Sequence, residues 1–453
     1  MHDDLRQRLR ELGVAKGIRE LATPSARPRL AIEDLVPGRF HTTSHGQCFV
    51  TEAIYPPEHL HGTCPLSTFL ALPAEVVAQI AQDDLPAGVN LQRACFLDTE
   101  TTGLSGGTGT MAFVVGLGFF AAGGFHVRQY FLRDPGDEPA MVEALAESLL
   151  EFEALVSFNG RAFDVPILES RFILARVPPP TAGVPHLDLL PPARRLWHYH
   201  LPSCALSALE RTVLGVLREQ DDVPSGIIPY LYRDYLRTGD AREMKRVLYH
   251  NAVDILSLVT LAARLCRAFA DPWGETEDKR NTRLSGAEFF GLGHWYTAQG
   301  RQAEAERAYR AALKADLAPD LRATVLRVLG TLLKRANRQS EAFACWQQLA
   351  LEEAGDVQAH VELAKYLEWH VGDLALAAGW TQAALAQVEQ WPTGMRRDDT
   401  LAELRHRLER LEKKSANRQI ATGWRRVAVG YGQAGWRTAV HCSSRQSRRI
   451  MVQ

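Results

Sequence analysis

"FLDTETTGLSGGTGTMAFVVGLGFF", residues 96–120, joins two acids two positions apart to a run rich in glycine. The halves point to different proteins. A glycine-rich phosphate loop leads from a strand straight into a helix, because the amides at the helix N-terminus hold the phosphate. Here the glycines are followed by "MAFVVGLGFF", an apolar run of β type, and no GK[ST] follows. The stretch reads as strand, turn, strand, with residues 103–110 in a turn where absent side chains would let a sugar-phosphate backbone come close. A nucleotide-binding oxidoreductase would instead need a helix directly after Gly109.

Asp98 and Glu100 stand at i and i+2 of the first strand, so both carboxylates project to one face. Such a pair repels unless a cation neutralises it. The apolar "ACFL" before them marks a strand that is otherwise buried. Working outward, "VSFNGRAFDVPIL" ends a strand at Asn159 and Gly160 and opens a helix at Asp164, where an acid serves either as cap or as ligand. "LYHNAVDILSL" sets His250 and Asp254 at i and i+4, on one helix face among core residues. Three separated segments thus offer Asp98, Glu100, Asp164 and Asp254, hard oxygen donors suited to Mg2+ or Mn2+, and one histidine placed to handle a proton. Two ions about 4 Å apart could clamp the attacking and leaving oxygens of a phosphodiester. Asp188 in "PHLDLL" reads as a support or a helix cap and stays outside the ligand set.

The chain of 453 residues has room for two or three domains, with ordinary soluble composition, 46% hydrophobic and 23% charged. A net charge of -1 gives no global pull toward polyanions, so nucleic-acid binding must come from local clusters or from metal ions. Seven scattered cysteines without a CxxC pair read as reduced thiols, not a disulfide framework or a structural zinc site. The charged start "MHDDLRQRLRELG" is no signal peptide, and the most apolar run, 111–125, is broken by glycine. The expectation is a cytoplasmic protein without membrane contact. His41, His45, His59 and His61 lack partners at ligand spacing and read as surface or structural histidines.

Residues 1–90 read as an N-terminal helix and short-strand extension, and 91–270 as a mixed α/β domain. In the latter, three consecutive strands precede helix, strand, helix, strand, and helices follow at 203–217 and 242–267. A polar linker covers 271–286, and 287–414 is alanine-rich helix. "GRQAEAERAYRAAL" (300–313), "NRQSEAFACWQQLA" (337–350) and "GDLALAAGWTQAAL" (372–385) align without gaps, placing Gly300, Asn337 and Gly372 together and Ala305, Ala342 and Ala377 together. Periods of 37 and 35 residues are near the roughly 34 of tetratricopeptide helix pairs. The basic stretch 415–453 reads as a disordered tail.

These segments resemble the DEDD 3′ to 5′ exonucleases of the ribonuclease-H-like superfamily, whose motifs match "DTETTGL", "FNGRAFDVPIL" and "HNAVD". The longer match, with "LDTETTGLSGGTGT", "HLDLL", "LPSCALSALE" and "YHNAVDILSL", is similar to the YprB-type predicted exonuclease family over roughly residues 30–268. The resemblance implies a mixed five-stranded sheet in the order 3-2-1-4-5 with strand 2 antiparallel. It also implies two ions held by Asp98, Glu100, Asp164 and Asp254, with His250 activating the attacking water. One departure stands out. The histidine subclass places its histidine five residues before the last acid, whereas His250 is four before Asp254 and Tyr249 occupies the five-residue position. His250 is favoured because it aligns with Asp254 and because imidazole titrates near about 6.5.

Asn159 at its strand end, and Arg194, Arg195 and Trp197 in "PPARRLWHYHLPSC", are candidate contacts for phosphates and an unpaired base; packing on the sheet explains the aromatics equally well. The expected function is a divalent-metal-dependent nuclease acting on single-stranded DNA or RNA, joined to repeats that bind a protein partner. The alternative is a non-catalytic nucleic-acid-binding scaffold that recruits a partner through its repeats.

Overall fold

A computed structural model describes residues 28–81, 89–103, 109–218, 222–274 and 284–431, with backbone alone for 419–431. The chain divides into two compact units, Met1–Trp295 and Tyr296–Gln453.

The first unit is built on one seven-stranded sheet: β1 (Arg39–Thr43), β2 (Gly46–Tyr55), β3 (Ala94–Thr101), β4 (Ala112–Ala121), β5 (Gly124–Phe131), β6 (Ala154–Ser157) and β7 (His186–Asp188). Their order is β1-β2-β5-β4-β3-β6-β7. β4 is antiparallel to both β3 and β5, and β6 runs parallel to β3 and β7. The five strands β5-β4-β3-β6-β7 therefore have the order 3-2-1-4-5 with the second antiparallel, as the resemblance implies. The expected five strands become seven because β2 pairs antiparallel with β5 and brings β1 with it. Residues 39–55 are thus part of the sheet and not a separate extension; the expected N-terminal helix lies outside the described residues. A strand follows Gly109, which excludes the dinucleotide loop. Part of the glycine turn, residues 104–108, also lies outside the described residues.

The helices of this unit are α1 (Ala74–Ala81), α2 (Glu138–Leu149), α3 (Asp164–Leu174), α4 (Leu190–Trp197), α5 (Ile228–Thr238) and α6 (Arg242–Ala270). The expected helix at 203–217 is only one α turn, Leu206–Leu209, running into a π turn, Glu210–Leu214, that Gly215 closes at φ 69.

How α6 meets the sheet follows from two glycines of β4. A Cβ on Gly116 would stand 2.3 Å from Asn251 Oδ1, and one on Gly118 would stand 2.4 Å from Ile255 Cγ2. Glycines at i and i+2 of a strand lie about 6.8 Å apart on one face, close to the roughly 6 Å between helix residues i and i+4. The pair forms a groove that receives Asn251 and Ile255, so the His250–Asp254 segment lies against β4, next to β3, which carries Asp98 and Glu100. The core on both faces is aliphatic and aromatic, with Phe113, Phe131, Phe172 and Tyr232 fully buried.

α7 (Gly286–Ala298) spans the boundary at Trp295, and the second unit beyond it is helical: α8 (Gln302–Lys314), α9 (Pro319–Arg335), α10 (Gln339–Glu352), α11 (Val357–Tyr366), α12 (Leu374–Val388) and α13 (Met395–Tyr431). Gly300, Asn337 and Gly372, aligned by sequence, all adopt left-handed backbone at φ 73, 60 and 79. The aligned Ala305, Ala342 and Ala377 are all buried. A left-handed residue ends one helix and turns the chain into the next, and a buried alanine lets the neighbouring helix approach. Trp346 lies against Gly330, where a Cβ would come within 2.8 Å of the indole. The segment from 415 was expected to be a disordered tail, but α13 continues through it to Tyr431; residues 432–453 lie outside the described residues. The six described cysteines are free. Among the described residues no helix is long and apolar enough to cross a membrane.

Candidate metal centre

β3, the start of α3 and the middle of α6 converge on one cleft of about 210 Å³. Asp98, Glu100, Asn159, Asp164, His250 and Asp254 all line it, together with Phe158, Phe163, Ser225 and Pro229. β3 is bulged between Glu100 and Thr101, where its ladder with β4 shifts register. Asn159 has φ 66, and its amide, with that of Leu190, donates to Asp188 Oδ1 at 2.7 and 3.0 Å. Asp188 thus fixes the turn before Asp164 and the start of α4, as a cap does.

The carboxylates are buried against one another. Burial, then the facing charges of Asp254 and Asp164, push both Asp98 and Glu100 well above the ordinary carboxylate range. Burial raises Asp164 to about 6, against the lowering effect of the Thr99 hydroxyl that donates to it. Asp254 is raised by burial and held back by His250 and Arg218. Four acids so disfavoured as anions suit a divalent cation, and their oxygens are the donors that Mg2+ or Mn2+ prefers. Glu100, His250 and Asp254 bring one donor atom each to within 4.8 Å of one another.

Several supporting residues escaped the sequence reading. Asp98, Gly116 and Gln129 form a row across β3, β4 and β5. Asn251 lies over the glycine in that row. Its Nδ2 donates to Asp98 Oδ2 at 2.7 Å, and its Oδ1 accepts from Gln129 Nε2 at 2.7 Å. Gln129 uses its second N–H on the Leu248 carbonyl at 2.8 Å. Arg218 donates to both oxygens of Glu210 at 2.7 Å and also to Asp254 Oδ1. Glu210, 1% exposed, accepts in turn from Ser257 at 2.6 Å, and Ser257 meets His61 Nε2 at 2.7 Å.

His250 Nδ1 lies 2.7 Å from Asp222 Oδ1 and 2.9 Å from an Arg218 nitrogen. A guanidinium only donates and a carboxylate only accepts, so Nδ1 serves one of them. Assigning the Nδ1 proton to Asp222 leaves Nε2 with its lone pair in the cleft, 3.9 Å from Glu100 Oε1 and 3.6 Å from Asp254 Oδ2, where Ser225 Oγ donates to it at 3.2 Å. Tyr249 does not line the cleft. Thr99 and Asn251 lie inside the quoted motifs, yet their roles depend on other strands and helices. Glu210 is an acid within an apolar stretch, which is a usable signal. Arg218 and Asp222, in a polar connection, give none.

The basic-aromatic segment does not reach the cleft. Arg194, Arg195 and Trp197 lie on α4 and are not among the lining residues. Trp197 is 1% exposed and donates its indole N–H to Glu288 at 2.9 Å, and Arg195 lies 5.8 Å from the Trp295 ring. A tryptophan so enclosed has no face for a base, which corrects its assignment as a substrate contact. His41 and His45 pair with Glu147 and Glu143.

A family model of the RNase H superfamily matches residues 95–266. The Bacillus subtilis (strain 168) protein named "Uncharacterized protein YprB" is 30% identical over 329 residues, which cover 71% of this chain and 76% of the relative. Among solved structures, a T3SS complex from Aeromonas hydrophila is 18% identical, covering 29% of this chain and 83% of that one, at a TM-score of 0.25. PcrH from Pseudomonas aeruginosa is 19% identical, covering 31% and 96%, at a TM-score of 0.24. Likenesses at these scores carry no argument. The superfamily match and the extent of the identity to YprB show that this chain belongs to the YprB family, within the RNase H superfamily.

Proposed function

We propose that this protein is a divalent-metal-dependent nuclease that hydrolyses phosphodiester bonds in single-stranded DNA or RNA, working from the 3′ end. The observation that carries the reading is the convergence of Asp98, Glu100, Asp164, His250 and Asp254 on one cleft. Asp98, Glu100, Asp164 and Asp254 would hold two Mg2+ or Mn2+ ions. When bound, the ions supply positive charge that offsets the phosphodiester and the charge that develops as it is attacked.

The chain's own residues account for the proton. His250 Nε2 accepts it from the attacking water as the water oxygen bonds to phosphorus and the P–O3′ bond breaks, the O3′ leaving with the bonding pair and taking a proton from solvent water to become the new 3′-hydroxyl. Asp222 holds the other ring nitrogen and stabilises the imidazolium that results. Asn159 lines the cleft, and in this reading it would meet the nucleotide. The helical unit, with its tetratricopeptide-like repeats, binds a protein partner in this reading.

The test uses single-stranded DNA and RNA labelled at either end, with Mg2+, Mn2+ or chelator, beside an Asp98→Ala variant. Metal-dependent shortening from the 3′ end that the variant lacks supports the proposal. Binding without cleavage under every condition would favour the scaffold instead.

A further inference from the structure

Three of the four site carboxylates have one oxygen committed to a protein donor. Asn251 takes Asp98 Oδ2, Thr99 takes Asp164 Oδ1 and Arg218 takes Asp254 Oδ1. The donors are themselves fixed. Asn251 is 0% exposed and held by Gln129, Arg218 is anchored on both oxygens of Glu210, and Thr99 is a buried β-branched residue of the central strand β3. An aspartate in this state offers a cation one oxygen that no protein donor engages. Chelation through both would make the cation share the second oxygen with a buried donor, and straining or losing that hydrogen bond is costly.

We propose that Asn251, Thr99 and Arg218 are specificity-determining residues that limit Asp98, Asp164 and Asp254 to one oxygen each and so select Mg2+ or Mn2+ over Ca2+. The inference rests on the reading that these carboxylates hold divalent cations. Mg2+ requires a near-ideal octahedron at about 2.0–2.1 Å and keeps several waters, a demand that single oxygens on rigid supports satisfy. Ca2+ takes about 6–8 oxygens at roughly 2.3–2.6 Å and reaches that number with the help of bidentate carboxylates. Removing a donor returns the second oxygen to the cation and so relieves the handicap on Ca2+.

The experiment titrates the full chain with Mn2+ and with Ca2+ by calorimetry, and follows free Mn2+ by electron paramagnetic resonance. Wild type is compared with Asn251→Ala and with Thr99→Val, which keeps the side-chain shape; circular dichroism verifies folding. Wild type should bind Mn2+ roughly ten-fold or more tighter than Ca2+. Each variant should lose about ten-fold in Mn2+ affinity while Ca2+ holds, so the preference narrows by the same factor. Equal losses for both ions, as a merely structural role would give, overturn the inference, and so does a wild type without preference. Absence of any binding to folded wild type removes the metal reading itself, a result distinct from those two.

Discussion

Gly116→Ala places a methyl group where no space exists, at a position with no chemistry of its own. The added Cβ would stand 2.3 Å from Oδ1, 3.0 Å from Cγ and 3.1 Å from Nδ2 of Asn251. Asn251 belongs to α6, which the Gly116–Gly118 groove seats against β4, and it is 0% exposed, so water cannot replace what it loses on moving. Two buried hydrogen bonds are at stake, one from Gln129 and one to the Asp98 carboxylate, both 2.7 Å long. Leaving such groups unpaired costs about 1–3 kcal/mol each, so the variant should lose roughly 2–6 kcal/mol. That is a large part of the roughly 5–15 kcal/mol that holds a domain together. Urea unfolding of the metal-free protein measures the loss. Mn2+ titration should show about ten-fold weaker binding, because Asp98 loses its support. Gly109→Ala is the control, since a Cβ there meets nothing within 4 Å. A Gly116→Ala protein within about 0.5 kcal/mol of wild type, with unchanged Mn2+ affinity, would refute the reasoning.

Other outcomes follow from the same geometry. Asp222→Asn should lower the cleavage rate by about 10²-fold with little change in nucleic-acid affinity, because it disturbs the ring nitrogen opposite the one that takes the proton; equal rates would free His250 from this dependence. Asp164, raised from 3.8 to about 6, contributes stability that is complete below its unfolded value and lost as pH rises through about 6. Asp98, Glu100 and Asp254 are shifted the same way, so the metal-free melting temperature should fall as pH rises through about 6, and Mn2+ should restore it most above that pH. His61 acts oppositely: burial lowers it to about 4 from 6.5, so its contribution is present above 6.5 and lost on acidification. A His61→Gln variant should therefore show the carboxylate slope more steeply; an unchanged slope would contradict the assignment. Trp197→Phe should reduce stability by about 1–3 kcal/mol through the lost indole hydrogen bond to the Glu288 carboxylate, which keeps Arg264 and the Ser285 amide, while a refolded sample keeps its affinity for single strands.

The acids were legible because charge in an apolar setting is rare and because strand and helix periodicities state which side chains share a face. Asp98 with Glu100, and His250 with Asp254, needed only those two rules. The five central strands were equally plain, since β3, β4 and β5 are apolar runs separated by short turns. β1 and β2 were seen as strands, but sheet membership depends on which edge a hairpin finds, and β2 finds β5 through backbone pairing that leaves little trace in side chains. Asn251 looked like any polar helix residue, and what gives it a task is Gly116 on a distant strand. Trp197 misled for the converse reason: an aromatic among arginines and histidines suggests stacking, but the acid that satisfies its indole lies beyond the linker, at Glu288.

His61 sits 2.7 Å from Ser257, Ser257 sits 2.6 Å from Glu210, and Glu210 anchors Arg218 beside Asp254. The sequence that founds this site is accordingly longer than residues 95–266, the part that defines the superfamily. A fragment trimmed to that match would strip β2 from β5 and expose an unpaired strand edge, an invitation to aggregate. It would also leave Ser257 and Glu210 without their outermost neighbour. For anyone dissecting the protein, the serviceable unit starts upstream of the first strand at Arg39.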